Sequence, residues 1–144
     1  NSVSRAVDEF AAKRVETSEI FGVNANVFAP CALGGVLNDE TIPEFKVQIV
    51  AGAANNQLLE ERHGTMLRER NILYAPDYVA NAGGILNGCV ELLAWQAEHA
   101  LNKVDEIYDT VLRIFESAKA EGITTNKAAD RLAEERLSSV ARHR

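Results

Sequence analysis

Three short apolar runs constrain this chain more than anything else in it: "ANVFAP" at 25–30, "VQIV" at 47–50 and "NILYAP" at 71–76. Each is too short for a helix and rich in strand-forming residues, while the stretches between them carry helical periodicity. In "QLLEERHGTMLRER" Leu59, His63, Met66 and Leu67 fall on one helical face, and "NDETIPEFK" is a shorter helical stretch with Asn38 or Asp39 as its cap. Nearly continuous apolar strands alternating with helices specify a parallel sheet covered on both sides. The predicted fold class is α/β.

From about residue 84 the strand signals stop. "VDEIYDTVLRIFESAKAEG" sets Val104, Ile107, Tyr108, Val111, Ile114 or Phe115, and Ala118 at helical steps and ends in Gly122, a good residue just past a helix end. Thr124 or Thr125 then caps "NKAADRLAEERL", with Ala128, Leu132, Leu137 and Val140 inward. At the other end, "NSVSRAVDEFAAKR" is helical with Val3, Ala6, Val7, Phe10 and Ala11 on one face. No strand precedes that helix for it to lean on, so the chain reads as a piece of a longer protein. Tyr74, Tyr78, Trp95, Tyr108 and Phe115 read as core and interface anchors. The closing Arg142, His143 and Arg144 read as a frayed end.

In an open parallel sheet, ligands bind beyond the carboxyl ends of the strands. There the chain has "APCALGG" (29–35), "AGAANNQ" (51–57) and "APDYVANAGG" (75–84), all poor in charge and rich in Gly, Ala, Pro and Asn. Small residues let backbone approach a flat ligand, and Asn offers donors and an acceptor without charge. Such a rim suits a nucleotide or a nicotinamide. The simplest reading of Asn55-Asn56 is a helix N-cap, and of Asn81-Ala82-Gly83-Gly84 a turn whose glycines take positive φ.

Composition narrows the partners. A formal net charge of -6 argues against a nucleic-acid binder, which concentrates Lys and Arg on phosphates. No stretch of eighteen apolar residues and no secretory leader pattern occurs, so neither a membrane span nor a membrane partner is expected and a cytoplasmic location is the default. Cys31 and Cys89 lack metal-site spacing and read as buried structural thiols. A helix N-terminus near Cys31 would make it nucleophilic, but no partner base lies at a recognisable distance. His63, His99 and His143 suggest no metal site.

Taken together, "FAPCALGGVLNDETIP", "VAGAANNQL", "YAPDYVANAGG" and "AADRLAEER" resemble the C-terminal part of the leucine, phenylalanine and valine dehydrogenases, within the wider glutamate dehydrogenase superfamily. The resemblance covers essentially the whole chain in order. It implies the second half of a Rossmann-like parallel-sheet domain followed by C-terminal helices. Residues 1–87 would be a partial NAD-binding unit lacking its first strands, and 88–144 a helical segment packing back on the domains. It further implies NAD as cofactor, an L-amino acid and its 2-oxo acid as substrates, and a homo-oligomer.

For individual residues, the resemblance implies that Cys31, Ala32 and Leu33 line the cofactor's ribose side. Ala54, Asn55, Asn56 and Asn81 would hold the nicotinamide end, with Asn56 also meeting the substrate carboxylate. Ile85 and Gly88 would line the side-chain pocket. Gly88 stands where a leucine enzyme is expected to carry valine, which leaves room for a bulkier aliphatic or an aromatic side chain. Leucine, valine, isoleucine and phenylalanine remain open as substrates.

The chain departs from the family pattern in two respects. It has no G-x-G-x-x-G, and none of its five lysines, Lys13, Lys46, Lys103, Lys119 and Lys127, lies in a Gly-rich segment. The family's catalytic lysine and pyrophosphate cradle are therefore expected in a missing N-terminal substrate domain and first Rossmann half, and this chain alone is expected to carry no catalytic residue and no activity. The rival expectation is a non-catalytic α/β interaction or oligomerisation module derived from a dehydrogenase half-fold. Exposure of the strand at 25–29 would mark a missing neighbour.

Overall fold

Parallel pairing of the three apolar runs organises the fold, which a computed structural model describes for residues 2–141. Strands β1 (Val27–Phe28), β2 (Ile49–Val50) and β3 (Leu73–Tyr74) lie side by side in that order. Val27 is in register with Ile49 and Leu73, and Phe28 with Val50 and Tyr74. Successive residues on a strand face opposite ways, so each register row belongs to one face of the sheet.

The Phe28, Val50 and Tyr74 row points into the main core, with Leu37, Ile42, Phe45, Leu67 and Ile72 buried around it. Phe21, Phe28 and Phe45 close that core, with Phe28 and Phe45 centroids 5.1 Å apart. The opposite row is only partly covered among the described residues: Val27 is 47% and Leu73 39% exposed. Among the described residues the sheet is therefore not sealed on both faces, contrary to what its apolar runs predict. At the β1 edge, Ala25, Asn26, Val27 and Ala29 are exposed and Phe28 half-buried.

Helix α1 (Ser2–Phe10) forms as expected but buries none of its residues. It also ends sooner than its pattern predicts, because Ala11 takes a left-handed φ of 52°. The "NDETIPEFK" segment makes only a 3-10 turn over Ile42–Glu44. Thr41 stands at its N-cap without a side-chain cap bond, and Asn38 instead braces the preceding turn, its Oδ1 accepting the amides of Glu40 and Thr41 at 2.9 and 3.1 Å. Helix α2 (Arg62–Glu69) starts after Leu59, which is exposed rather than on its inner face; His63 and Leu67 are buried.

Three helices follow the short α3 (Asp77–Ala80): α4 (Gly83–Leu92), α5 (Ala97–Glu121) and α6 (Thr125–Ala141). α5 ends on Gly122 at φ 66°, the left-handed residue its sequence predicts. α5 and α6 pack through Ile114, Ala118, Ala128 and Ala129. Leu137 and Val140 point to solvent rather than inward, so the apolar seam of α6 is shorter than its periodicity implies. Thr124 occupies the cap position, with its carbonyl accepting the Ala128 amide at 3.0 Å, yet its buried hydroxyl makes no hydrogen bond.

Of the expected aromatic anchors, Tyr74 is buried, Tyr78 is 48% exposed but ties α3 to α6 by donating its hydroxyl to Asp130 Oδ1 at 2.7 Å, and Tyr108 is 70% exposed. Cys31 is exposed and Cys89 half-buried, so neither is the buried structural thiol that cysteine usage implies. No helix among the described residues is long and apolar enough to cross a membrane. The terminal Arg142, His143 and Arg144 lie outside the described residues.

Candidate functional site

The loops that leave the carboxyl ends of β1, β2 and β3 fold onto one another and form a single rim. Two contacts between the first and second loops require glycine. A Cβ on Gly52 would lie 2.2 Å from the Pro30 carbonyl oxygen, and one on Gly34 would lie 2.6 Å from that of Asn55. Hydrogen bonds run between the same loops: Ala54 N to Pro30 O at 2.9 Å, Gly35 N to Asn56 O at 2.7 Å and Leu37 N to Gln57 O at 2.9 Å. Gln57, fully buried, braces the second loop from within by donating Nε2 to the carbonyls of Gly52 and Ala54 at 2.8 and 2.9 Å.

The third loop locks to the second through two side chains. Asn81 donates Nδ2 to Asn55 Oδ1 at 2.6 Å and to the Ala53 carbonyl at 3.2 Å. Asp77 accepts the Asn56 amide on Oδ2 at 2.8 Å. Its other oxygen accepts the Tyr74 hydroxyl at 2.6 Å, while Tyr74 Oη accepts the Asp77 amide at 3.2 Å. Burial, reinforced by that carboxylate, pushes the Tyr74 phenol well above its ordinary range, so the hydroxyl stays protonated and a donor.

The rim brings Ala54, Asn55, Asn56 and Asn81 together, with Cys31, Ala32 and Leu33 exposed on the adjoining loop. Asn55 and Asn56 are exposed, with Asn55 Oδ1 accepting from Asn81. Neither asparagine starts a helix: α2 begins at Arg62 after Glu61, which makes no side-chain cap, and the Glu60 amide just before it donates to His63 Nδ1 at 2.9 Å. Asn56 instead occupies a left-handed turn at φ 53°, which Asn tolerates better than other non-glycine residues.

No helix begins at Cys31, so no helix terminus activates its thiol. Gly83 and Gly84 form the first turn of α4 and take no positive φ, contrary to the expected glycine turn. Ile85 and Gly88, three residues apart on α4, share one side of that helix; Ile85 is 75% exposed. The sequence reading missed Gln57, Tyr74 and Asp77 as rim residues. The one available signal was Asp77 itself, a carboxylate in an otherwise neutral rim segment.

Among the described residues, no three His, Cys, Asp or Glu side chains gather so as to hold a metal ion. The charged cluster nearest the loops, Asp39, Glu60 and Arg62, is exposed and braces the turn before α2. The Arg62 guanidinium holds the Asp39 carboxyl at about 2, against an ordinary 3.8.

The chain matches the Glutamate/Leucine/Phenylalanine/Valine dehydrogenase family over residues 1–144. It is 53% identical over 143 residues to a leucine dehydrogenase of Bacillus cereus, a match covering 99% of this chain and 39% of that protein. A phenylalanine dehydrogenase of Caldalkalibacillus thermarum is 51% identical over 128 residues, 89% of this chain and 35% of its own. The crystal structure of L-tryptophan dehydrogenase from Nostoc punctiforme superposes with a TM-score of 0.91 at 50% identity, covering 96% of this chain and 43% of that one. The chain thus spans about two fifths of the length of the curated relatives it matches, 39% for the leucine enzyme.

Proposed function

The chain belongs to the Glutamate/Leucine/Phenylalanine/Valine dehydrogenase family, and from that premise we propose that it is the C-terminal part of an NAD-dependent dehydrogenase of hydrophobic L-amino acids. The reaction is oxidative deamination to a 2-oxo acid and ammonia, and its reverse. The observation that carries this reading is the uncharged amide cluster of Asn55, Asn56 and Asn81 at the carboxyl ends of three parallel strands.

A nicotinamide carboxamide needs one donor and one acceptor from the protein and no charge, and an asparagine supplies both. Asn56, whose exposed side chain makes no hydrogen bond among the described residues, is placed to meet that carboxamide or the substrate carboxylate. Asn55 and Asn81 fix the loop beside it. Cys31, Ala32 and Leu33 line the ribose side, and Ile85 and Gly88 the substrate side chain. NAD, when bound, supplies the hydride acceptor; the residues of this chain bind and orient.

The general base and the lysine that polarises the carbonyl belong, in this reading, to an N-terminal substrate domain, and the pyrophosphate cradle to a first Rossmann half. The exposed β1 edge is where that half-sheet would pair, and α1 and the open Val27 and Leu73 face would pack beneath it. Residues 1–87 then complete the NAD-binding unit, and 88–144 pack back on the domains of a cytoplasmic homo-oligomer. The same open edge favours the second reading, an inactive interaction or oligomerisation module.

NADH fluorescence titration, with NAD-dependent oxidation of leucine and phenylalanine, separates the two when run on this chain and on an upstream-extended form. Activity only in the extended form is expected. Silence in both leaves the interaction module, and activity in the 144-residue chain overturns the division of labour.

A further inference from the structure

The geometry points to Asp77 as a positioning residue for the dehydrogenase reaction, acting through the backbone of Asn56. This inference rests on the proposed role of Asn56 in holding the nicotinamide or the substrate.

Asn56 stands in a left-handed conformation at φ 53°, and both of its backbone polar groups are tied to other loops. Its carbonyl accepts the Gly35 amide at 2.7 Å from the loop after β1. Its amide donates to Asp77 Oδ2 at 2.8 Å on the loop after β3. With both groups held, the direction of the exposed Asn56 side chain is fixed by its neighbours on either side.

Asp77 is itself immobilised. It is 6% exposed, and the Tyr74 hydroxyl donates to its second oxygen at 2.6 Å while accepting the Asp77 amide at 3.2 Å. Two donors therefore converge on one side chain, which must accept on both ends. A carboxylate does so without rearrangement. An asparagine in its place still accepts the Asn56 amide on Oδ1, so Asn56 stays held, but its Nδ2 meets the Tyr74 hydroxyl as a second donor and leaves that buried O–H without its acceptor, a cost in stability rather than in the placing of Asn56. An alanine leaves the Asn56 amide without its partner and the turn free to relax.

Misplacing a binding group by about an ångström costs on the order of 100-fold in rate. The test uses the upstream-extended protein with variants D77A, D77N, Y74F and N56A and the double variant D77A/N56A, measuring kcat, KM for NAD and thermal midpoint.

D77A is expected to lower kcat roughly 10- to 100-fold with a raised KM for NAD, D77N to stay close to the parent, and Y74F to fall between. In the N56A background D77A should lower the thermal midpoint but leave kcat where N56A put it. Equal kcat losses from D77A in both backgrounds would show a merely structural role and overturn the inference, as would a D77A enzyme with unchanged kcat beside a damaged N56A. An N56A enzyme with unchanged kcat and KM overturns the reading of Asn56 itself, and this inference with it. Should D77A not fold, Y74F alone and combined with N56A gives the same contrast.

Discussion

Gly52 and Pro30 touch backbone to backbone: a Cβ on the glycine would lie 2.2 Å from the proline carbonyl oxygen and 2.5 Å from its nitrogen. No rotamer change relieves such a contact, because the atoms met belong to the main chain. Gly52→Ala must push apart the loops that carry Cys31 and Asn56. The expected destabilisation is about 1–3 kcal/mol. Gly84→Ala is the matched control, since a Cβ there meets nothing within 4 Å on α4; it should stabilise by roughly 0.5–1 kcal/mol. Urea midpoints of the two variants moving the same way would contradict this account of the rim.

Asp39 predicts a measurable acid titration. Hydrogen bonds from Arg62 hold its carboxyl at about 2, against 3.8 ordinarily. A folded-state value depressed in this way contributes stability above the unfolded value, and the contribution is lost as pH falls through about 2. Both partners are more than half exposed, so salt screens the pair and the effect on stability is small. Following the Asp39 carboxyl carbon by NMR, Arg62→Ala should move its midpoint up toward the ordinary carboxylate range. An unmoved midpoint would mean that the guanidinium is not the cause.

The sheet was legible in the sequence because Val27, Phe28, Ile49, Val50, Leu73 and Tyr74 belong to uninterrupted apolar runs, and Gly122 marked its helix end by the one conformation it alone takes cheaply. The errors have a common physical source. Periodicity reports which residues can share a face, and not whether that face meets anything, which is why Leu137 and Val140 were expected inward and stand exposed. At the rim, Asn55 and Asn56 were recognisable as unusual, but that Asn56 takes a turn rather than the expected cap depended on Asp77 and Gly35, which the fold alone brings to it. Contacts between distant loops leave no period to read.

Gly88 predicts how substrate choice shifts. It lies on the side of α4 shared with Ile85, and a Cβ there meets nothing within 4 Å, so added bulk enters open space rather than the core. In the upstream-extended protein, Gly88→Val should lower kcat/KM for phenylalanine relative to valine. Discrimination of about 10-fold or more is expected, the scale of one to two methylenes in an apolar pocket. An unchanged ratio with unchanged stability would remove Gly88 from the pocket wall.

The backbone of β1 predicts which amide would report the proposed first half of the sheet. Asn26 and Phe28 turn their carbonyls toward β2, where they accept the amides of Ile49 and Ala51 at 3.1 and 3.0 Å. Alternation along a strand then directs the Val27 carbonyl and amide to the opposite edge, and Val27 is 47% exposed. If the first half of the sheet pairs there, the Val27 amide gains a backbone partner that this chain does not supply. Hydrogen exchange should therefore be fast at Val27 in the 144-residue chain and slowed by orders of magnitude in the upstream-extended protein, while the Ala75 amide, bonded to the Val50 carbonyl at 2.9 Å, is protected in both. Equal exchange at Val27 in the two forms would mean that the upstream segment docks elsewhere, and the open edge would then belong to a different partner.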